Sequence, residues 1–553
     1  MATRFNAMLT SSLLTIVLIA GCGETEKPAG SAAVTPAVPE SSHSTGAHQA
    51  EITWFDGSVD EAFTLAKTTG KPVYLYWGAV WCPPCQEIKH TVFKSPQFIA
   101  QSELFVPVYL DGDTERAQAW GEKFGVKGYP TMIVFSPAGE EVTRIPGGID
   151  ISAYTTVLQL SLDHMRPTAQ LVQAALKDPT SLTASDLQQL AYYSWGQDFN
   201  ALPEGTDPIL FEQLSNVAKE PKVSSRLYMQ YLLLAADAAS EADDEVVVKR
   251  VDPARLQSIL SEPALVVASW DYLAYWSEEI RGLLAGTEAE VLATMNQWAD
   301  AMLANRHHPD ISTAEQLGGW LPYVFLHKAE SQKLADTESA TPAPLPADKL
   351  QALKADGEQA NKITRNAFAR QSVISQLSYL YQQAGLADEA RSLLIAELEI
   401  SKSPYYFMSS LSSMAESDGN IEEALSWRKQ AYETSTGPAT RFQWGANYVR
   451  TLIRLTPEDG ETITATTMKL FDDLQGMEET FAGRNFRVLR SMSRALEAWD
   501  DEYNEEASML TAFRGRIQNM CSQQDADSLE STNCASLLAS GETSTAATTG
   551  GAG

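Results

Sequence analysis

Two cysteines separated by two prolines, Trp81-Cys82-Pro83-Pro84-Cys85, stand directly behind the apolar run Pro72–Gly78 (PVYLYWG) and in front of a helical pattern carrying Ile88. A short, β-rich, continuously apolar run reads as a buried strand. Pro83 and Pro84 fit a first helical turn, where a missing N–H leaves no bond unmade. The pair therefore sits at a strand-to-helix junction with Cys82 at the helix N-terminus. There the unsatisfied N–H groups and the positive end of the dipole lower a thiol's pKa from ~8.5 into the range ~3.5–7.5. Cys82 is the expected nucleophile. Cys85, one turn further in, is the expected resolving thiol, placed to attack a mixed disulfide. A structural zinc site needs four ligands, and no second Cys or His cluster of suitable spacing accompanies this pair. A c-type haem needs CxxCH, and Gln86 follows Cys85.

Around the motif, residues 51–165 alternate helix and strand. The spacing predicts helices over 59–69, from Cys82 through Val92 and Phe93, over 114–124 and over 151–164. It predicts strands over 72–78, 104–110, 131–135 and 141–145, the last two joined by a turn at Pro137-Ala138-Gly139. This order, with a CxxC at a strand-to-helix junction and Pro130 before a later strand, resembles the thioredoxin fold. It is most similar to the C-terminal domain of the transmembrane thiol:disulfide interchange proteins. The residues that carry the likeness are Gly70-Lys71-Pro72-Val73, the Trp81–Cys85 motif, Thr91-Val92-Phe93 with Ser95-Pro96-Gln97, and Gly128-Tyr129-Pro130-Thr131. The resemblance implies a cis Tyr129–Pro130 bond lying against the disulfide, and a substrate groove made with Trp81, Gly147 and Gly148. It also shows two departures. Tyr76 stands where the family carries a buried acid six residues before the first cysteine, and Val80 where the interchange domains often have an acid. The usual proton acceptor for Cys85 is thus absent, Glu87 as a substitute competes with a solvated role on the helix surface, and Tyr76, Pro83 and Pro84 are expected to tune the couple.

The formal charge of −30 excludes a nucleic-acid partner, which needs a basic footprint, and excludes electrostatic attraction to anionic lipid. Residues 1–21 nevertheless read as a secretion leader, with Arg4 before an apolar stretch of about 13 residues, too short to span a bilayer as a helix. It ends Ile19-Ala20-Gly21-Cys22, which resembles the bacterial lipobox and implies an acylated Cys22 as the membrane anchor. Gly23, in place of an inner-membrane retention aspartate, favours the outer membrane. Residues 22–50, rich in Pro, Ala, Ser and Thr, have the composition of a tether with ~30 Å of reach. Of the five cysteines, Cys521 and Cys534 remain once the others have roles. They are expected to form a structural disulfide around a polar segment, as suits an oxidising compartment.

Beyond residue 166 the β-type alternation gives way to helical periodicity, so the fold class is an α/β thioredoxin fold followed by an all-α region. Helices are predicted over 224–239, 288–305, 313–327 and 440–455. Residues 338–347 read as a Pro-rich linker between helical parts 166–337 and 348–535, and residues 536–553 as a disordered tail. Within 371–438, Leu377, Gly385, Glu389, Ala390, Glu399 and Pro404 recur 34 residues later as Leu411, Gly419, Glu423, Ala424, Glu433 and Pro438. That period resembles a tetratricopeptide repeat and implies a peptide or protein partner on a concave face. The expected chemistry is dithiol–disulfide exchange with protein thiols, with no cofactor and no metal, and an upstream redox donor or acceptor protein. The alternative is a lipoprotein scaffold whose helices bind partners and whose CxxC is vestigial or regulatory.

Overall fold

A computed structural model describes residues 51–540 apart from 148, 150, 165, 199, 242–249, 335–342, 475–476, 478–479, 504–507 and 526–527. The leader, Cys22, the tether, Gly148 and residues 541–553 lie outside the described residues.

The N-terminal part is built from α1 (Val59–Thr69), β1 (Val73–Gly78), α2 (Pro83–His90), α3 (Pro96–Gln101), β2 (Val106–Asp111), α4 (Glu115–Lys123), β3 (Thr131–Phe135), β4 (Glu141–Ile145) and α5 (Ile151–His164). Its sheet runs β2-β1-β3-β4, with β1 and β2 parallel and the other pairs antiparallel. Every residue of β1 is buried. The pleat sends Val73, Leu75 and Trp77 to the face of α1 and α4, and Tyr74 and Tyr76 to the opposite face with Ile88, Phe98 and Tyr154. A strand covered on both faces must be apolar throughout, as the PVYLYWG run is. Removing a ring such as Phe98, 0% exposed, would cost about 3–5 kcal/mol.

Capping sets the helix ends. Ser58 and Glu61 form a reciprocal capping box at the start of α1, and Gly70, at φ 71°, closes it in the left-handed conformation. Residues Val92–Lys94 form a separate 3-10 turn, so α2 stops at His90 before the apolar pair Val92-Phe93 that its predicted pattern includes.

The second face of the sheet is closed by the chain beyond it. The cluster that starts with Tyr74 and Tyr76 continues through Leu171, Leu187, Phe211, Leu227, Leu273 and Trp298. The outer edge of β4 is sealed as well: Thr168 Oγ1 and Gln189 Nε2 donate to the Val142 carbonyl at 2.9 and 2.8 Å, and Ser194 N donates to that of Arg144 at 3.0 Å. These bonds satisfy an exposed strand edge that would otherwise pair with another chain.

The predicted helix over 313–327 is broken. Thr313–Gly318 ends at Gly318-Gly319, Trp320 turns inward to donate to Asp356 Oδ2 at 2.8 Å, and Leu321–Leu334 begins afresh with Pro322 in its first turn. Leu345, within the predicted linker, is buried, and one apolar cluster draws on both Trp320 and Leu353 from either side of it. Then come α6 (Ala369–Gln383), α7 (Ala387–Leu398), α8 (Pro404–Ser417), α9 (Ile421–Thr434), α10 (Pro438–Leu455), α11 (Gly460–Leu474) and α12 (Gly483–Tyr503). Gly385 and Gly419 both have φ 76° in the α6–α7 and α8–α9 turns, and Ala390 and Ala424 are fully buried. The predicted disordered tail begins too early: residues 536–540 continue the helix Leu529–Ser540. The helix holds because the Cys521–Cys534 disulfide, Cα–Cα 5.7 Å, anchors it and Leu537 is buried. Among the described residues, no helix is long and apolar enough to cross a membrane.

Candidate active site

The strand β1 delivers the chain to Gly78, and a short loop brings Cys82 to the N-cap of α2 in an extended conformation, φ −81° and ψ 113°. The Cys85 amide donates to Cys82 Sγ at 3.2 Å, so the first cysteine occupies the capping position that an oxygen fills in most helices. The two are joined as a disulfide with a Cα–Cα distance of 5.2 Å. Gln86 Nε2 braces the loop by donating to the carbonyls of Ala79 and Val80 at 3.3 and 2.7 Å. Pro83 is buried in the first turn and Pro84 is half-buried.

Tyr129–Pro130 is a cis peptide, and the Tyr129 carbonyl oxygen lies 3.5 Å from Cys82 Sγ. Gly147 is tight against this ensemble: a Cβ there would come within 3.1 Å of Ile88 Cδ1 and 3.2 Å of Pro130 Cγ. Tyr76 is fully buried, its hydroxyl 3.5 Å from the carbonyl of Cys85. Burial foremost, then the neighbouring Tyr109, raises its phenol well above the ordinary value. At neutral pH this hydroxyl therefore holds its proton and cannot act as the base that an acid at the same position supplies. Among the described residues, no group of three or more His, Cys, Asp or Glu side chains could hold a metal ion.

Residues 59–161 match the family model of the thioredoxin-like domain. This part of the chain is a thioredoxin-like domain. The chain is similar to the thiol:disulfide interchange protein DsbD of Yersinia pestis, 33% identical over 101 residues, and to DsbD 1 of Pseudomonas aeruginosa, 30% identical over 96 residues. These matches cover 17% of this chain and only 17% and 16% of the two relatives. A solution structure of a thioredoxin from Thermus thermophilus is 28% identical, covering 20% of this chain and 85% of that one, with a TM-score of 0.19.

What sequence reasoning missed is the cover over the thioredoxin-like domain's mouth. Cys82 is 2% exposed and Cys85 0%. Gln371 on α6 donates its side-chain amide to the main-chain carbonyl of Trp81. The Trp81 ring stacks on Tyr406 of α8 (centroids 6.5 Å) and meets Trp444 of α10 edge to face (6.5 Å). Asp113, just after β2, accepts the Thr440 amide at 2.7 Å, the Thr440 hydroxyl, and Arg484 Nη2 of α12 at 2.9 Å. Glu122 Oε2 and Gln118 Oε1 on α4 accept the amides of Gly483 and Arg484, both at 2.8 Å, capping α12 from across the interface. On the opposite flank, Gln197 Nε2 donates to the Pro130 carbonyl at 2.6 Å. The one local signal for this cover was Arg484, Arg487, Arg490 and Arg494, spaced along one helix of a chain with charge −30.

Farther along the same interface, Tyr275 donates to Glu315 Oε2 at 3.1 Å. Burial foremost, then the nearby Glu87 of α2, pushes the Glu315 carboxyl up to about 8.

Proposed function

We propose that this chain is an extracytoplasmic thiol–disulfide oxidoreductase, held at the membrane by an acylated Cys22, that exchanges dithiols and disulfides with protein substrates through Cys82 and Cys85. The observation that carries the reading is the cysteine pair at the N-cap and first turn of α2, beside the cis Tyr129–Pro130 peptide. In the reducing direction, the Cys82 thiolate attacks one sulfur of a substrate disulfide and expels the other as a thiolate. Cys85, deprotonated, then attacks Cys82 Sγ, forming the Cys82–Cys85 bond and releasing the second substrate thiolate. Two electrons pass to the substrate and its two thiolates take up protons. The oxidising direction is the reverse, and a partner dithiol or disulfide protein resets the couple in either case.

Burial of Cys82 supports a second reading, a lipoprotein scaffold whose tetratricopeptide-like helices bind partners while the cysteine pair serves as a regulatory bond. Insulin reduction by the full mature chain, with Cys82→Ser as control, separates the two. Multiple turnovers that vanish in Cys82→Ser support exchange; no turnover supports the scaffold.

A further inference from the structure

The residues that roof the disulfide carry an excess of buried, unpartnered hydrogen-bond donors. The indole N–H groups of Trp81 and Trp444 and the Nε and Nη1 of Arg484 are all buried with no partner among the described residues. They lie together: the Arg484 guanidinium carbon is 5.3 Å from the Trp81 ring centroid and 5.5 Å from that of Tyr129, and the Trp444 ring is 6.5 Å from Trp81. Against these four donor atoms, the side chains named at this mouth leave one orphan acceptor, Gln371 Oε1. Arg484 is only 9% exposed, and its Nη2 alone is spent, on Asp113. Buried polar atoms are nearly always satisfied, so a knot of orphaned donors marks a place built for a group that brings acceptors. A carboxylate suits it best, since it accepts in the guanidinium plane at Nε and Nη1 and has lone pairs left for an indole N–H.

We propose that Arg484, Trp81 and Trp444 form an anion subsite of the exchange site, which takes a carboxylate carried next to the reacting cysteine of an extended, acidic substrate segment. The inference rests on the exchange reading and names the substrate class for it. Trp81 directly precedes Cys82, so a carboxylate held at its ring edge lies within a residue or two of the sulfur under attack. The segment is taken to be extended because Cys82 is only 2% exposed beneath this cover, and a single stretch of chain displaces less of it than a folded surface would.

The test uses the full mature chain and two disulfide-bridged peptides that differ only in Glu or Gln beside one cysteine. The reduced protein should turn over the Glu peptide with a kcat/KM at least ~10-fold above that of the Gln peptide, mostly through KM. Arg484→Gln should erase the preference, and so, largely, should Arg484→Lys, which keeps the ion pair with Asp113 but loses the two-donor fork. Asp113→Asn, which breaks the same ion pair but leaves the guanidinium, should keep the preference. Equal rates in the native protein, a preference that survives Arg484→Gln, or one lost equally in Asp113→Asn would overturn the proposal. Calorimetric titration of the oxidised protein with the same peptides, serine replacing cysteine, provides the independent arm. Selective binding of the Glu peptide without any turnover upholds the subsite and rejects the exchange reading; no selectivity in binding or turnover rejects the subsite alone if insulin is still reduced.

Discussion

The side-chain amide of Gln371 donates to the main-chain carbonyl of Trp81, tying α6 to the residue before Cys82 across 290 positions of sequence. Gln371 is 1% exposed, so the bond is made away from competing water. Gln371→Ala leaves a buried carbonyl without its donor, at about 1–3 kcal/mol. The roof over the disulfide should loosen, and reduction of Cys82–Cys85 by a small dithiol should accelerate several-fold. The check is a timed alkylation series read by intact mass. An unchanged rate would mean the bond does not hold the cover in place.

The two thiols should divide the work. Cys82, at the N-cap with its sulfur already accepting the Cys85 amide, should be the thiol that the helix end stabilises as an anion once the pair is reduced. Cys82→Ser should abolish exchange. Cys85→Ser should leave attack intact and trap mixed disulfides with natural partners. With Tyr76 unable to take a proton, resolution should limit turnover near pH 7. Alkylation rate against pH for each single variant decides the matter: a lower pKa at Cys85 reverses the assignment.

Gly385 and Gly419 sit at φ 76° with open space where a Cβ would go, so a side chain there meets strain but no clash. Val at either position should cost about 1–2 kcal/mol from the left-handed backbone alone. The melting temperature should fall by a few degrees, while exchange by the folded protein at 25 °C stays at the native rate. Loss of exchange in parallel would show that these turns position the mouth.

Glu315 makes stability depend on pH. Its folded pKa of about 8 lies above the ordinary carboxylate value, so the folded chain keeps a proton that the unfolded chain gives up. Stability should therefore decline as pH rises from about 4 to about 8 and level off above that, by an amount of up to about 5 kcal/mol. Glu315→Gln should match the native protein near pH 4 and exceed it near pH 9. Denaturant midpoints at the two pH values test this, and parallel curves would place the carboxyl's titration elsewhere.

Local pattern carried the thioredoxin-like domain. The strands β3 and β4 and the helix α5 have the residue bounds that their spacing predicts, and Cys82 caps α2 because two prolines can only begin a helix, not continue one. Failures came where a distant contact decided the outcome. The helix predicted over 313–327 breaks because Trp320 turns to Asp356, and the tail holds at residues 536–540 because of a disulfide and a buried leucine. The roof was illegible for the same reason. Nothing near Cys82 announces Tyr406, Trp444 or Arg484, whose positions depend on how helices hundreds of residues away stack. The arginine spacing on α12 was the one sign available and went unread, and periodicity alone does not say what a charged face meets.

The site is roofed by residues that leave the ribosome late. Gly483 meets Glu122 across 361 positions, so the cysteine pair is complete long before its cover exists. Contacts of such separation form last, after their loop-closure cost is met. During synthesis the chain therefore passes through a stage in which Cys82 lacks its roof, and its burial is completed only when the later helices, α12 among them, are in place. A copy truncated before α6 would lack Gln371, Tyr406, Trp444 and Arg484 together, and with them the whole roof over Cys82.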